Sequence, residues 1–341
     1  MVALIRHIMV LGRLRRARPV LGLLCCLLPM LLPIAASAEP DRWKAEGWKT
    51  DFSRSTVDFS SIISGGPPRD GIPPIDDPSF VPVEDVTGLD EREPVMSVMI
   101  GGEARAYPLR MMIWHEIVND TLGGRAIAVT YCPLCNAAIV FDRTVDGSET
   151  TFGTTGKLRN SDLVMYDRQT ESWWQQFTGE AIAGERTGMT LEVIPSRLEA
   201  WKHFRDRHPD GQVLTPGNPD LRDYGRNPYA GYDTSGVPFL YRGPMPEGIL
   251  PLSYVVVIRE TEAPPVVISL DRVRREGRIE LKNGAVVTWV PGVRSALDDR
   301  AIAEGRQIGS VTVMRKGEDI AHELTFAFVV RAFLPEADIL D

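Results

Sequence analysis

A chain of 341 residues with 46 acidic and 38 basic side chains, formal charge −8, is long enough to bury a large core without disulfides. Its acidity excludes nucleic acid and anionic lipid as natural partners unless positive charge is segregated, and no long Lys/Arg run follows residue 38. Residues 1–38 read as a secretory signal peptide. Arg6, Arg13, Arg15, Arg16 and Arg18 precede the apolar run VLGLLCCLLPMLLPIAA, and Ala36-Ser37-Ala38 offers a cleavage site. Pro29 and Pro33 interrupt the run, which argues against a retained membrane anchor. Cleavage takes 38 residues from 341 and leaves 303; because five arginines and no acid are lost, the formal charge moves from −8 to −13. A periplasmic or secreted, soluble protein is expected. Cys25 and Cys26 leave with the signal, so Cys132 and Cys135 are the only cysteines of the mature chain.

Residues 39–82 read as an N-terminal arm and a Pro/Gly-rich lead-in, and residues 83–335 as one β-rich domain with a tail at 336–341. Within the domain, VMSVMI is a predicted strand, LRMMIWHEIVN a helix begun by Pro108, DTLGG a turn, and RAIAVTY a strand. Further strands are expected at TTFG, DLVMYD, EAIAG and TLEVIP. A helix is expected over 197–207, with Ser196 and Glu199 at capping-box spacing. Residues 215–251 hold seven Pro, six Gly and four Tyr, which forbids a continuous helix or strand. A structureless loop of this length in a compact domain is usually functional, so a lid or a recognition surface is one reading, and an ordered surface loop the other. The runs SYVVVIRE, PPVVISL, RIELKN, AVVTWV, SVTVMRK and LTFAFVVRAF are mostly strand material. The fold class is β-rich α+β, with mixed or antiparallel sheets and a few short helices.

One internal echo accompanies this reading. PVMSVMIGGEARAYPL…GGRAIAVTYCPLCNAAIVFDR and PLSYVVVIRETEAPPVVI…NGAVVTWVPGVRSALDDR share an apolar strand, then EA with a proline close behind, a Gly-bearing turn, VT-aromatic-x-Pro and DR. If this is a weak repeat, the second copy sets Val290-Pro291 against Cys132-Pro133, and only the first carries chemistry.

The motif AVTYCPLCNAAIVF lies between two strands, Ala126–Tyr131 and Ala137–Asp142, which makes it a hairpin tip and not the start of a thioredoxin-like helix. Such a knuckle wants a left-handed residue after its second Cys, and Asn136 is suited to that place. With no second pair for a tetrathiolate site, His115 is the nearest further ligand. Cys132, Cys135 and His115, with Met111 close by, suit Cu or Zn. The alternative is a thiol-disulfide protein in which Cys132, the more exposed thiol, attacks and Cys135 resolves. An inert disulfide is weaker, since closing a four-residue loop contributes only about 2 kcal/mol. The carboxylates Asp162, Asp167 and Glu171 read as the exposed face of a strand. A non-catalytic binding scaffold, with an unknown protein or small-molecule partner at the 215–251 loop, is the third functional reading.

The segments WHEIVNDTLGG, VTYCPLCNAAIVFDR, FGTTGKLRNSDLVMYDRQTESWWQQFTGEAIAG, HPDG and RNPYAGY resemble one family, the bacterial domain-of-unknown-function family 3179. The resemblance spans roughly residues 80–335. It implies an exported protein with a CPLC centre and no established activity. Its pattern includes His115, Glu116, Asp120, Cys132, Cys135, Met165, Tyr166, Asp167 and Trp173, and these, with Tyr229 from the long loop, form the candidate pocket set.

Overall fold

The computed structural model describes residues 39–259 and 263–341, so the expected signal peptide lies outside the described residues. Among the described residues no helix is long and apolar enough to cross a membrane. The elements open with α1 (Glu39–Ala45), β1 (Ile62–Ser64) and β2 (Ser79–Pro82). Next come β3 (Pro94–Ile100), β4 (Glu103–Pro108), α2 (Leu109–His115), β5 (Ile117–Leu122), β6 (Arg125–Cys132) and β7 (Ala137–Asp142). An insertion follows: β8 (Thr144–Val145), β9 (Ser148–Glu149), β10 (Phe152–Arg159), β11 (Asp162–Asp167), β12 (Trp173–Gln175) and β13 (Ala181–Ala183). The first half closes with β14 (Val193–Ile194), β15 (Arg197–Ala200), α3 (Trp201–Arg207) and β16 (Gln212–Thr215).

The second half starts with β17 (Tyr254–Ile258), β18 (Val266–Ser269), α4 (Leu270–Glu276), β19 (Arg278–Glu280) and β20 (Val286–Val290). It ends with β21 (Ser310–Arg315), β22 (Glu318–Asp319), β23 (His322–Phe326), α5 (Ala327–Phe333) and β24 (Ile339–Leu340). This β-rich α+β fold uses one topology twice. Sheet β15-β3-β4-β16, with β2 added outside, has its counterpart in β23-β17-β18-β24, and sheet β5-β6-β7-β14 in β19-β20-β21-β22. In both copies the strand after the second helix runs parallel to its neighbour, β16 to β4 and β24 to β18. Register fixes the equivalence: Ile117 faces Thr130 where Arg278 faces Thr288. Tyr131 N donates to Glu116 O at 2.8 Å, and Trp289 N to Gly277 O at 2.9 Å. The sequence echo is therefore a duplication, and Cys132 falls opposite Val290 as the alignment expected.

Three expected boundaries move. The helix after Pro108 stops at His115 because Glu116 turns left-handed, φ 60°, and the β-branched run IVNDT then pairs as β5. Residues 197–200 form strand β15 against β3, so the second helix begins at Trp201. Glu199 does not cap it; its carboxylate is taken by Arg207 at 2.6 and 2.8 Å and by Ser97. LTFAFVVRAF is strand only to Phe326 and helix from Ala327.

The insertion forms its own sheet, β1-β10-β11-β12-β13, anchored by aromatic packing. Trp43, Trp48 and Phe52 of the N-terminal arm pack round Trp173 with ring centroids 4.7–5.1 Å apart. The arm is thereby part of the folded body. The sheet's β10–β11 turn, Asn160-Ser161, has φ of 52° and 66° at its two residues, the left-handed pair that a tight hairpin requires. That turn points the start of β11 at the CPLC tip.

Candidate functional site

Two hairpin tips meet at the site. CPLC joins β6 to β7 with Cys132 opposite Ala137, and Asn136 takes the left-handed conformation, φ 49°, that the tip needs. The Asn136 side chain then donates to Leu324 O at 3.0 Å, and Thr325 Oγ1 donates to Cys135 O at 2.7 Å, so β23 of the second copy holds the tip from behind. From the other side the Ser161 carbonyl accepts from both thiols, Cys135 Sγ at 3.5 Å and Cys132 Sγ at 3.8 Å. The loop 215–251 closes the third side: Tyr232 OH donates to Leu134 O at 2.9 Å, and Ser161 Oγ donates to Phe239 O.

The sulfurs of Cys132 and Cys135 and a carboxylate oxygen of Asp162 all lie within 4.8 Å of one another, and all three residues are buried. Both thiols are free. At 1% and 0% exposure neither is the accessible nucleophile expected of Cys132, which corrects that expectation. Burial pushes both thiols up, and the Asp162 charge adds to it. Asp162 rises to about 6 through burial, although Phe177 N–H at 2.9 Å and Gln175 Nε2 at 2.6 Å hold its Oδ2. Its Oδ1 is buried with no hydrogen-bond partner. Glu116 rises to about 8 through burial and then through Asp162, and its Oε2 is likewise buried and unpartnered. Among the described residues neither carboxylate has a salt bridge. Arg159, the guanidinium that feels Asp162, contacts Gln175 and Ser61 instead.

His115 does not join the group. It is buried, its Nδ1–H donates to Pro73 O at 2.7 Å, and its Nε2 lone pair meets Tyr224 OH at 2.8 Å. Burial lowers its pKa, so the neutral ring has no lone pair left for a metal. The left-handed turn at Glu116 breaks the helix behind His115, and the lead-in and the long loop claim both nitrogens. The remaining pocket set divides. Glu116 and Tyr229 adjoin the centre: the Glu116 charge acts on Cys132, Tyr229 lines an opening of about 690 Å³ beside Leu134, and burial followed by the charges of Glu116 and Cys132 raises its hydroxyl.

The other five lie elsewhere. Asp120 pairs with Arg105 at 2.6 Å and accepts from Tyr107 OH. Met165 is core, opposite Trp174, and Trp173 anchors the arm. Tyr166 donates to Asp70 under the Arg69 guanidinium, and Asp167 holds Trp174 Nε1 and Thr170. Sequence reasoning missed Asp162, read as a solvated strand face and in fact fully buried. The Asn160-Ser161 turn just before it marks a hairpin tip but carries no signal of what that tip meets.

This geometry defines a β-rich protein of repeated topology with a buried dithiol and carboxylate centre in the first copy. The family model described as "Protein of unknown function (DUF3179)" matches residues 69–337, so the chain belongs to that family. Neither the curated proteins nor the solved structures provide a match to it.

Proposed function

We propose that this protein is exported and binds a transition metal, Zn or Cu, through Cys132, Cys135 and Asp162, with Asp162 in the role expected of His115. The observation that carries the reading is the gathering of two sulfurs and a carboxylate oxygen within 4.8 Å. A tetrahedral ion with bonds of about 2.0–2.3 Å needs ligand separations of roughly 3.3–3.8 Å, so only a small contraction is required. The charge balance supports it as well. Among the described residues these acids are buried together without an ion-paired cation, a cluster that is unfavourable unless protonated or neutralised. A dication would displace both thiol protons to the solvent and balance two thiolates. Three protein donors leave a fourth position for water or another small molecule.

Thiol-disulfide exchange is the second reading, favoured by the closeness of the two sulfurs. Against it, buried thiols with raised pKa form little thiolate and offer a protein disulfide no approach. The test is to purify the exported protein without chelator, measure bound metal by mass spectrometry, and titrate thiols before and after reduction. About one Zn or Cu per chain, lost in Cys132→Ser and Asp162→Asn but kept in His115→Ala, is the expected result. Metal-free protein whose thiols appear only after reduction would replace the metal reading with the redox one.

A further inference from the structure

The two copies act as an internal control on each other. At equivalent places copy one has Glu116 where copy two has Gly277, and Cys132 where copy two has Val290. Copy one also carries the inserted sheet with Asp162 between β7 and β14, whereas β21 and β22 follow each other directly. Cys132 and Asp162 meet in the buried group with Cys135, and Glu116 adjoins it through the Tyr131 N–H that its carbonyl accepts.

Glu116 is the least expected of them. As the helix C-cap it takes φ 60°, ψ −31°, and Gly277 takes φ 71°, ψ −37°. Glycine meets that conformation without strain, whereas any other residue is strained by about 1 kcal/mol or more. Capping alone therefore gives no reason for glutamate. The side chain is 94% buried by its 6% exposure, and Oε2 has no partner. Two unfavourable features fall on one residue, whose carbonyl accepts from the N–H of Tyr131, the residue before Cys132, and they mark a group kept for what it does there.

We infer that Glu116 is the fourth acid of the centre and sets the charge of its occupant, so that the site takes a divalent cation such as Zn(II) in preference to Cu(I). This rests on the metal reading above. Two thiolates alone satisfy Cu(I), for which carboxylates are poor donors; Zn(II) accepts thiolate and carboxylate together. Glu116 stands outside the 4.8 Å group. It would act as a positioning residue, its unpartnered Oε2 accepting a hydrogen bond from the water or ligand that a bound ion carries.

The test uses exported protein stripped with chelator under reductant. Zn(II) affinity is measured by competition with a fluorescent chelator, and Cu(I) affinity by competition with bicinchoninate. Glu116→Gly copies the C-cap residue of the second copy, Gly277, and should fold, with a thermal midpoint at or above wild type. In Glu116→Gly and Glu116→Gln, Zn(II) affinity should fall by about tenfold or more while Cu(I) affinity stays within about threefold, and Glu116→Asp should recover part of the loss. Unchanged Zn(II) affinity in folded Glu116→Gly, or an equal fall for both metals, overturns the inference and leaves the three-donor site standing. Wild-type protein that takes up neither metal overturns both.

Discussion

Glu116→Gly makes a stability prediction that needs no metal. In the folded protein Glu116 is displaced from 4.5 to about 8 by burial and by Asp162. The folded state therefore binds more protons than the unfolded state between those values, and stability falls as pH rises through that window. At ~1.4 kcal/mol per pH unit the loss reaches roughly 3 kcal/mol at pH 7 and about 5 kcal/mol above pH 9. Below pH 4.5 Glu116 is neutral in both states and the loss is absent. Glycine removes this slope and also relieves about 1 kcal/mol of left-handed strain at every pH. In EDTA, calorimetric melts of the variant should therefore lie about 4 °C above wild type at pH 5 and about 10 °C above it at pH 8.5. The scale is about 2 °C per kcal/mol for a domain of this size. Asp162, raised to about 6, gives both proteins a residual slope of the same sign, which flattens above that pH. Parallel pH curves for variant and wild type would show that Glu116 is not the buried acid argued here.

Three further substitutions separate scaffold from site. Asn136→Ala forces alanine to φ 49° and removes the bond to Leu324, so urea unfolding should register a loss of about 2 kcal/mol, with Asn136→Gly milder. Trp173→Ala should cost about 3–5 kcal/mol by opening the aromatic cluster that anchors the inserted sheet; metal stoichiometry per folded chain, read by mass spectrometry, should hold. For wild type, both thiols are held up by burial, so metal uptake must release protons. Zn(II) affinity should rise with pH across 6 to 8, and calorimetry in buffers of different ionisation enthalpy should count the protons.

What the sequence made legible was local. The CPLC hairpin, its flanking strands and the left-handed Asn136 follow from alternation and turn chemistry within fifteen residues, and the structure places them as read. Asp162 was illegible because its burial comes from a contact between two hairpin tips, one of them in an inserted sheet, and nothing in DLVMYD encodes that meeting. His115 looked close to the cysteines along the chain, but one left-handed residue after it delivered its ring to Pro73 and Tyr224. Glu199 had capping-box spacing, and a strand pairing with β3 overrode it.

The frame round the CPLC tip explains how the first copy tolerates such a centre. Buried acids and a strained C-cap destabilise, yet the tip they surround is held by groups from outside its own sheet: Thr325 and Leu324 from the second copy, Tyr232 from the long loop, and Ser161 from the insertion. Three of these four contacts, Thr325 Oγ1 to Cys135 O, Tyr232 OH to Leu134 O and Asn136 Nδ2 to Leu324 O, involve no thiol and do not depend on the protonation state of the cysteines. Without β23 and the long loop, Cys135 O and Leu134 O would be left without those donors in an apolar setting. The second copy, with Val290 and Gly277 at the equivalent places, keeps the topology without the chemistry and supplies part of the frame against which the first is held.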